Sequence, residues 1–93
     1  MNNPLPLVID VCALDHWRLR VCFKEQGFVI VDFKPHLHFG VFRALQDTSI
    51  FQQVKVAFGT VEWPGGIDLD PEWLLKNGVA ENLVAEAGEK YET

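Results

Sequence analysis

Two pairs of alternating runs, each folded about a glycine, constrain this chain more than any other feature. In the first pair, Leu19, Val21 and Phe23 share one side of a run whose other side holds Arg18, Arg20, Cys22 and Lys24. Past Glu25-Gln26-Gly27 the alternation resumes with Val29, Val31 and Phe33. Successive side chains of a strand point to opposite faces, so each run reads as a half-buried strand. A three-residue loop with Gly27 in the left-handed region closes the hairpin. The predicted register sets Phe23 opposite Val29, Val21 opposite Val31 and Leu19 opposite Phe33, with Arg20 facing Asp32 as a favourable charge pair. A two-residue loop would set Val21 opposite Asp32 instead.

The second pair obeys the same rule. Val54, Val56 and Phe58 alternate with Lys55 and Ala57, and Val61 and Trp63 alternate with Thr60 and Glu62. A two-residue loop at Phe58-Gly59 puts Val56 opposite Val61, Val54 opposite Trp63 and Lys55 opposite Glu62, with Gly59 supplying a positive φ. Ahead of both hairpins, Leu7 to Leu14 is almost continuously apolar and predicts a well-buried N-terminal strand.

The period of two stops between Pro35 and Gln53. Asp47-Thr48-Ser49 has the chemistry of a helix cap, predicting a short helix through Ile50 and Phe51, and Val41 to Leu45 is a candidate turn. Pro64-Gly65-Gly66 then breaks the chain. Asp70 is a natural N-cap, Pro71 suits the first helical position, and Glu72 favours the positive dipole end. Trp73, Leu74 and Leu75 supply the buried side, and Asn77-Gly78 predicts a helix end at a left-handed residue. Val79, Leu83, Val84 and Ala87 then recur at helical spacing among Glu81, Glu86 and Glu89. This predicts an acidic C-terminal helix as far as Ala87, broken at Gly88, or an acidic tail.

The expected fold is α+β: an antiparallel sheet of about five strands, made of two β-hairpins and an N-terminal strand, with one or two short helices. Residues 1–78 form a single domain and 79–93 an appendage. At 93 residues, with seven Phe and three Trp, the chain has volume for one core and none for a second.

Charge excludes some partners. Residues 1–60 carry five acids and six bases, whereas residues 61–93 carry eight acids and two lysines. Gripping phosphates needs clustered Lys and Arg, so direct nucleic-acid binding is not expected. No run approaches the ~20 apolar residues of a membrane helix. No basic residue precedes a hydrophobic segment at the N-terminus, so no secretory leader is expected. Two cysteines without CxxC spacing point to reduced thiols and a cytoplasmic setting.

The order of elements and the segment Trp63-Pro64-Gly65-Gly66-Ile67-Asp68-Leu69-Asp70-Pro71-Glu72, preceded by Asp47…Phe51, resemble a bacterial family catalogued as domain of unknown function 2442. The resemblance covers roughly residues 8–76. It implies a small bacterial cytoplasmic α+β domain. Some longer family members carry a helix-turn-helix domain after this unit, and some are encoded beside a small partner in pairs resembling toxin–antitoxin modules. The resemblance supplies no catalytic residues. Nothing after Gly78 is long or basic enough for a helix-turn-helix, so a DNA-linked role is not expected here.

Each candidate site has a plainer reading beside it. His36 and His38, two apart in an extended segment, would face one ion, with His16 or Asp32 as a third ligand; the plainer reading is a polar loop face after Pro35. Cys22, between Arg20 and Lys24, is a better candidate nucleophile than Cys12, with His16 as base; the plainer reading is a small side chain packed on the sheet. Asp68, Asp70 and Glu72 could bind a cation or act as acids, but helix capping already accounts for Asp70 and Glu72. Among the tryptophans, Trp63 and Trp73 read as core and Trp17 as the exposed one. No catalytic residue, cofactor or metal site is therefore expected.

The expectation is a non-enzymatic protein–protein interaction module, antitoxin-like, with Trp17, Asp68, Asp70, Glu72, Glu81 and Glu86 as its interaction residues. Its partner would be a basic protein steered by charge, or a second copy joined through a sheet edge. The rival is a small-ligand or enzymatic site on the polar sheet face around Arg18, Arg20, Cys22 and Lys24.

Overall fold

Seven strands appear in a computed structural model that describes residues 5–81. β1 (Val8–Leu14), β2 (Arg18–Phe23), β3 (Gly27–Asp32) and β7 (Gly78–Ala80) form a four-stranded antiparallel sheet in the order β1-β2-β3-β7. β4 (Lys55–Ala57), β5 (Thr60–Trp63) and β6 (Ile67–Asp68) form a second antiparallel sheet of three. The fold is thus α+β, with two sheets where one of about five strands was expected. The intervening chain explains the split. Lys34–His36 and Gly40–Gln46 are turns of 3₁₀ helix, followed by α1 (Thr48–Phe51). They present the apolar side of the second hairpin to the face of the first sheet, so Val61 and Trp63 share one core with Val21, Val31 and Phe33.

The second hairpin has the expected register, Lys55 opposite Glu62 and Val56 opposite Val61. Phe58 (φ 53) and Gly59 (φ 76) are both left-handed, as a type I′ turn requires. The first hairpin has a different register. A three-residue loop, Lys24 to Gln26, lets Gly27 (φ 83) pair directly with Phe23, so Val21 faces Val29 and Leu19 faces Val31. The shift from the expected register is two residues. An even shift leaves every side chain on its expected face but changes its partner. Asp32 consequently lies opposite Arg18, and Arg20 opposite Ile30.

Asp47 caps α1 by accepting from the Ser49 N–H, and Asp70 caps α2 (Pro71–Asn77) by accepting from the Glu72 N–H. The end of α2 departs from expectation. Gly78 is extended (φ −97, ψ 164), not left-handed, and opens β7, which pairs with β3. Space is what requires glycine here: a Cβ would lie 2.9 Å from the Leu74 carbonyl oxygen and 3.0 Å from Val29 Cγ2. Val79 and Ala80, expected in a helix, are therefore strand. Leu83, Val84, Ala87 and Gly88 of that expected helix lie outside the described residues, as do Glu86 and Glu89.

The core is organised around Phe33. Its ring meets Phe42 at 5.9 Å, Phe51 at 5.7 Å, Trp63 at 5.7 Å and Trp73 at 5.8 Å, mostly edge to face. Buried Trp63 donates its indole N–H to the Phe51 carbonyl at 2.9 Å. No polar or charged side chain is buried among the described residues. None of the described helices is long and apolar enough to cross a membrane.

Candidate functional site

The histidine pair does not converge. Pro35 sits in a 3₁₀ turn, not an extended segment, so the spacing of two no longer aligns the rings. His36 is half-buried with its ring 5.0 Å from Trp73 and 5.7 Å from Phe42, while His38 is exposed. No group of three or more His, Cys, Asp or Glu able to hold a metal occurs among the described residues. Cys12 is exposed and Cys22 half-buried, both free. The register sets Cys22 opposite Asp10, near the far end of β2 from the turn that carries His16.

Trp17 is not the exposed tryptophan. It is half-buried, and its indole N–H donates to the Leu45 carbonyl at 2.8 Å. Its own carbonyl accepts from the Phe33 N–H. His16 (φ 65) and Trp17 (φ 56) are both left-handed, and these two bonds hold the turn in that conformation.

On the outer face of the larger sheet, the Arg20 guanidinium lies 3.7 Å from the Phe28 ring centroid and donates to both carboxylate oxygens of Glu81, at 2.7 and 3.2 Å. Arg18 donates to the Asp15 carbonyl. The hydrogen bonds with Arg20 hold the Glu81 carboxyl below the usual glutamate range, and Glu81 raises the Arg20 guanidinium in return. A carboxyl whose folded value is lowered stabilises the fold above its unfolded value and loses that contribution as pH falls through the folded value. The loss is therefore acid-side. Amide protection factors in β7, taken relative to intrinsic exchange rates, are expected to fall on acidification before those in β2 and β3 do. Glu81→Gln should remove that pH dependence; an unchanged profile in the variant would show that the pair does not hold β7.

The acidic candidates are dispersed. Asp68 lies on β6 opposite Glu62, a like-charge pairing. Asp70 is the cap of α2, and Glu81 is held by Arg20. Glu72 is exposed at the rim of a groove of about 640 Å³, lined by Leu5, Pro6, Glu25, Gln26, Glu72, Leu75 and Lys76. A second cavity, about 430 Å³, opens beside Trp63 and Gly65-Gly66. Neither cavity is lined by Arg18, Arg20, Cys22 or Lys24, the residues of the polar face.

The surface that sequence reasoning missed lies where β1 begins. The Val8 N–H donates to the Gly59 carbonyl at 2.9 Å, and the Lys24 N–H donates to the Leu7 carbonyl at 2.8 Å. The Leu7 side chain lies over Gly59, where an added Cβ would be only 2.6 Å from its Cδ1. Around this junction Leu5, Leu7, Ile9, Val56 and Phe58 are all exposed, Phe58 completely at 102%. A type I′ turn favours Asn, Asp or Gly at the position Phe58 holds, and a left-handed aromatic is uncommon there. That mismatch was visible in Phe58-Gly59 itself. The adjoining edge of β1 is blunted: its register shifts between Val8 and Asp10, and Asp10 Oδ1 accepts the Val11 N–H at 2.9 Å. No family model matches the chain, and no curated protein or solved structure matches it.

Proposed function

We propose that this protein is a non-enzymatic protein–protein interaction module whose contact surface is the apolar junction of Leu5, Leu7, Ile9, Val56 and Phe58. One observation carries the reading. Phe58 occupies a backbone conformation that penalises it, and its side chain is fully exposed. It therefore contributes little to the fold, whereas an exposed aromatic among other apolar side chains is the usual anchor of an interface. The contrast with Trp17 is direct, because that left-handed aromatic is held by two internal hydrogen bonds.

The dispersal of the acidic residues moves the proposed contact away from the acidic third. Asp70 and Glu81 have internal partners, and Trp17 is tied to the core. Asp68 and Glu72 stay exposed and would act as steering charges for a basic partner, not as the anchor. The resemblance over residues 8–76 supports placing the chain as the antitoxin-like half of a two-protein module. Two free cysteines, one of them exposed, suit a reducing compartment such as the cytoplasm.

Phe58→Asn tests the reading with two measurements that move in opposite directions. Asparagine tolerates the left-handed region, so unfolding free energy should rise by about 1 kcal/mol. Capture of partner protein from a lysate of the source cells should fall at least tenfold. A variant that captures as well as the wild type would remove the junction from the contact surface.

A further inference from the structure

The larger sheet brings together two thiols that lie apart in sequence. Cys12 of β1 stands opposite Arg20, and Cys22, two residues beyond Arg20 on β2, stands opposite Asp10. Leu19, Val21 and Phe23 fill the buried face of β2, so Cys12 and Cys22 share the outer one. They are diagonal neighbours there, with Cα atoms about 7–8 Å apart and Cβ atoms somewhat closer. Twist favours this diagonal. The Lys24 N–H donates to the Leu7 carbonyl ahead of β1, so the even-numbered residues of β2 turn their hydrogen-bonding groups towards β1. At such bonded pairs, right-handed twist shortens the Cys12–Cys22 diagonal and lengthens the one from Asp10 to Arg20. Both thiols are free, Cys12 exposed and Cys22 half-buried. Their hydrogen bonds are long contacts, 3.6 Å to the Ala13 carbonyl and 3.9 Å to the Phe23 carbonyl. Arg20 leans away from them, over Phe28 and towards Glu81.

From this placement we infer that Cys12 and Cys22 form a two-coordinate site for a soft monovalent ion, Cu(I), held in line between the two sulfurs. The inference is independent of the interaction-module reading. Geometry selects the ion. A disulfide needs Cβ atoms about 3.8 Å apart, closer than diagonal neighbours stand. Two metal–sulfur bonds of about 2.3 Å in line span about 4.6 Å between sulfurs, which suits the diagonal. A structural zinc site needs four ligands, and no group of three or more His, Cys, Asp or Glu could hold a metal among the described residues. Asp10, opposite Cys22, turns its Oδ1 to the Val11 N–H instead. Thiolates are soft ligands and select Cu(I). Binding breaks two S–H bonds, forms two Cu–S bonds and releases two protons, with no change of oxidation state. The S–Cu–S unit carries one negative charge and has the Arg20 cation beside it, a charge that Glu81 shares.

Titration of the reduced full chain with Cu(I), without oxygen and against a chromogenic Cu(I) chelator, provides the test. The wild type should take one Cu(I) per chain, and X-ray absorption should show two sulfur neighbours. Cys12→Ser and Cys22→Ser should each bind at least about tenfold more weakly, because a hydroxyl is a poor ligand for a soft ion. Neither residue belongs to the buried core, and thermal melts check that both variants fold. Sedimentation of the loaded protein should stay at the 10.6 kDa of one chain. A wild type that yields its copper as readily as the double variant Cys12→Ser/Cys22→Ser overturns the inference. So does a single variant that binds as tightly as the wild type, which marks adventitious binding by one thiol. Copper that doubles the mass also overturns it, since the two sulfurs would then come from two chains. Phe58→Asn should leave copper binding unchanged, so loss of partner capture and loss of copper are read separately.

Discussion

Replacing Phe33 with alanine is expected to lower the unfolding free energy by about 3–5 kcal/mol, as large aromatic deletions in close-packed cores do. Phe33 is fully buried, and its ring contacts four aromatic residues drawn from the 3₁₀ segment, α1, β5 and α2. Removing it leaves a cavity at the centre of the aromatic cluster that joins the two sheets. A chain of 93 residues has a total stability of roughly 5–14 kcal/mol, so the loss takes a large share of it. Urea titration should show a lower midpoint with an unchanged slope. A cost below about 1 kcal/mol would mean that the site collapses around the deletion and that the aromatic cluster is not the centre of the fold.

Gly78→Ala is the second large effect, expected at about 1–3 kcal/mol through overpacking. Backbone conformation alone predicts no penalty, because Gly78 has φ −97. The obstacle is steric: the new methyl would meet the Leu74 carbonyl oxygen at 2.9 Å and Val29 at 3.0–3.1 Å. The Leu74 carbonyl belongs to α2 and Val29 to the adjacent strand β3, so neither yields easily. The strand that yields is β7, and with it Glu81 leaves Arg20. Hydrogen exchange should show lost protection at β7, and the Glu81 carboxyl should return towards the ordinary glutamate range. If the variant keeps both, the clearance at Gly78 is wider than the structure shows.

These residues also mark how far the sequence could be read. The second hairpin was legible because Phe58-Gly59 is a two-residue turn, and a turn of that length pins the register. In the first hairpin, registers two residues apart bury the same side chains, so the apolar pattern could not choose between them. The charge pair expected in that register, Arg20 with Asp32, is not formed, because Arg20 pairs with Glu81, 61 residues away in sequence. Gly78 followed Asn77 at a helix end and so resembled a left-handed cap, and only the proximity of Val29 shows why glycine stands there. The candidate site failed for a related reason. His36 and His38 were aligned on the assumption of an extended chain, whereas Lys34–His36 is a 3₁₀ turn. Phe58 was seen but read only as a turn former, and its unsuitability for that turn was the signal.

The kinked, carboxylate-capped edge of β1 has a consequence for how far association can run. A sticky aromatic beside a bare strand edge would give each copy two independent ways to recruit the next, and growth could continue end over end. With Asp10 occupying the Val11 N–H and the register broken beside it, β1 offers a poor template for a further strand. Phe58 therefore stands exposed without a ladder-ready β1 edge beside it.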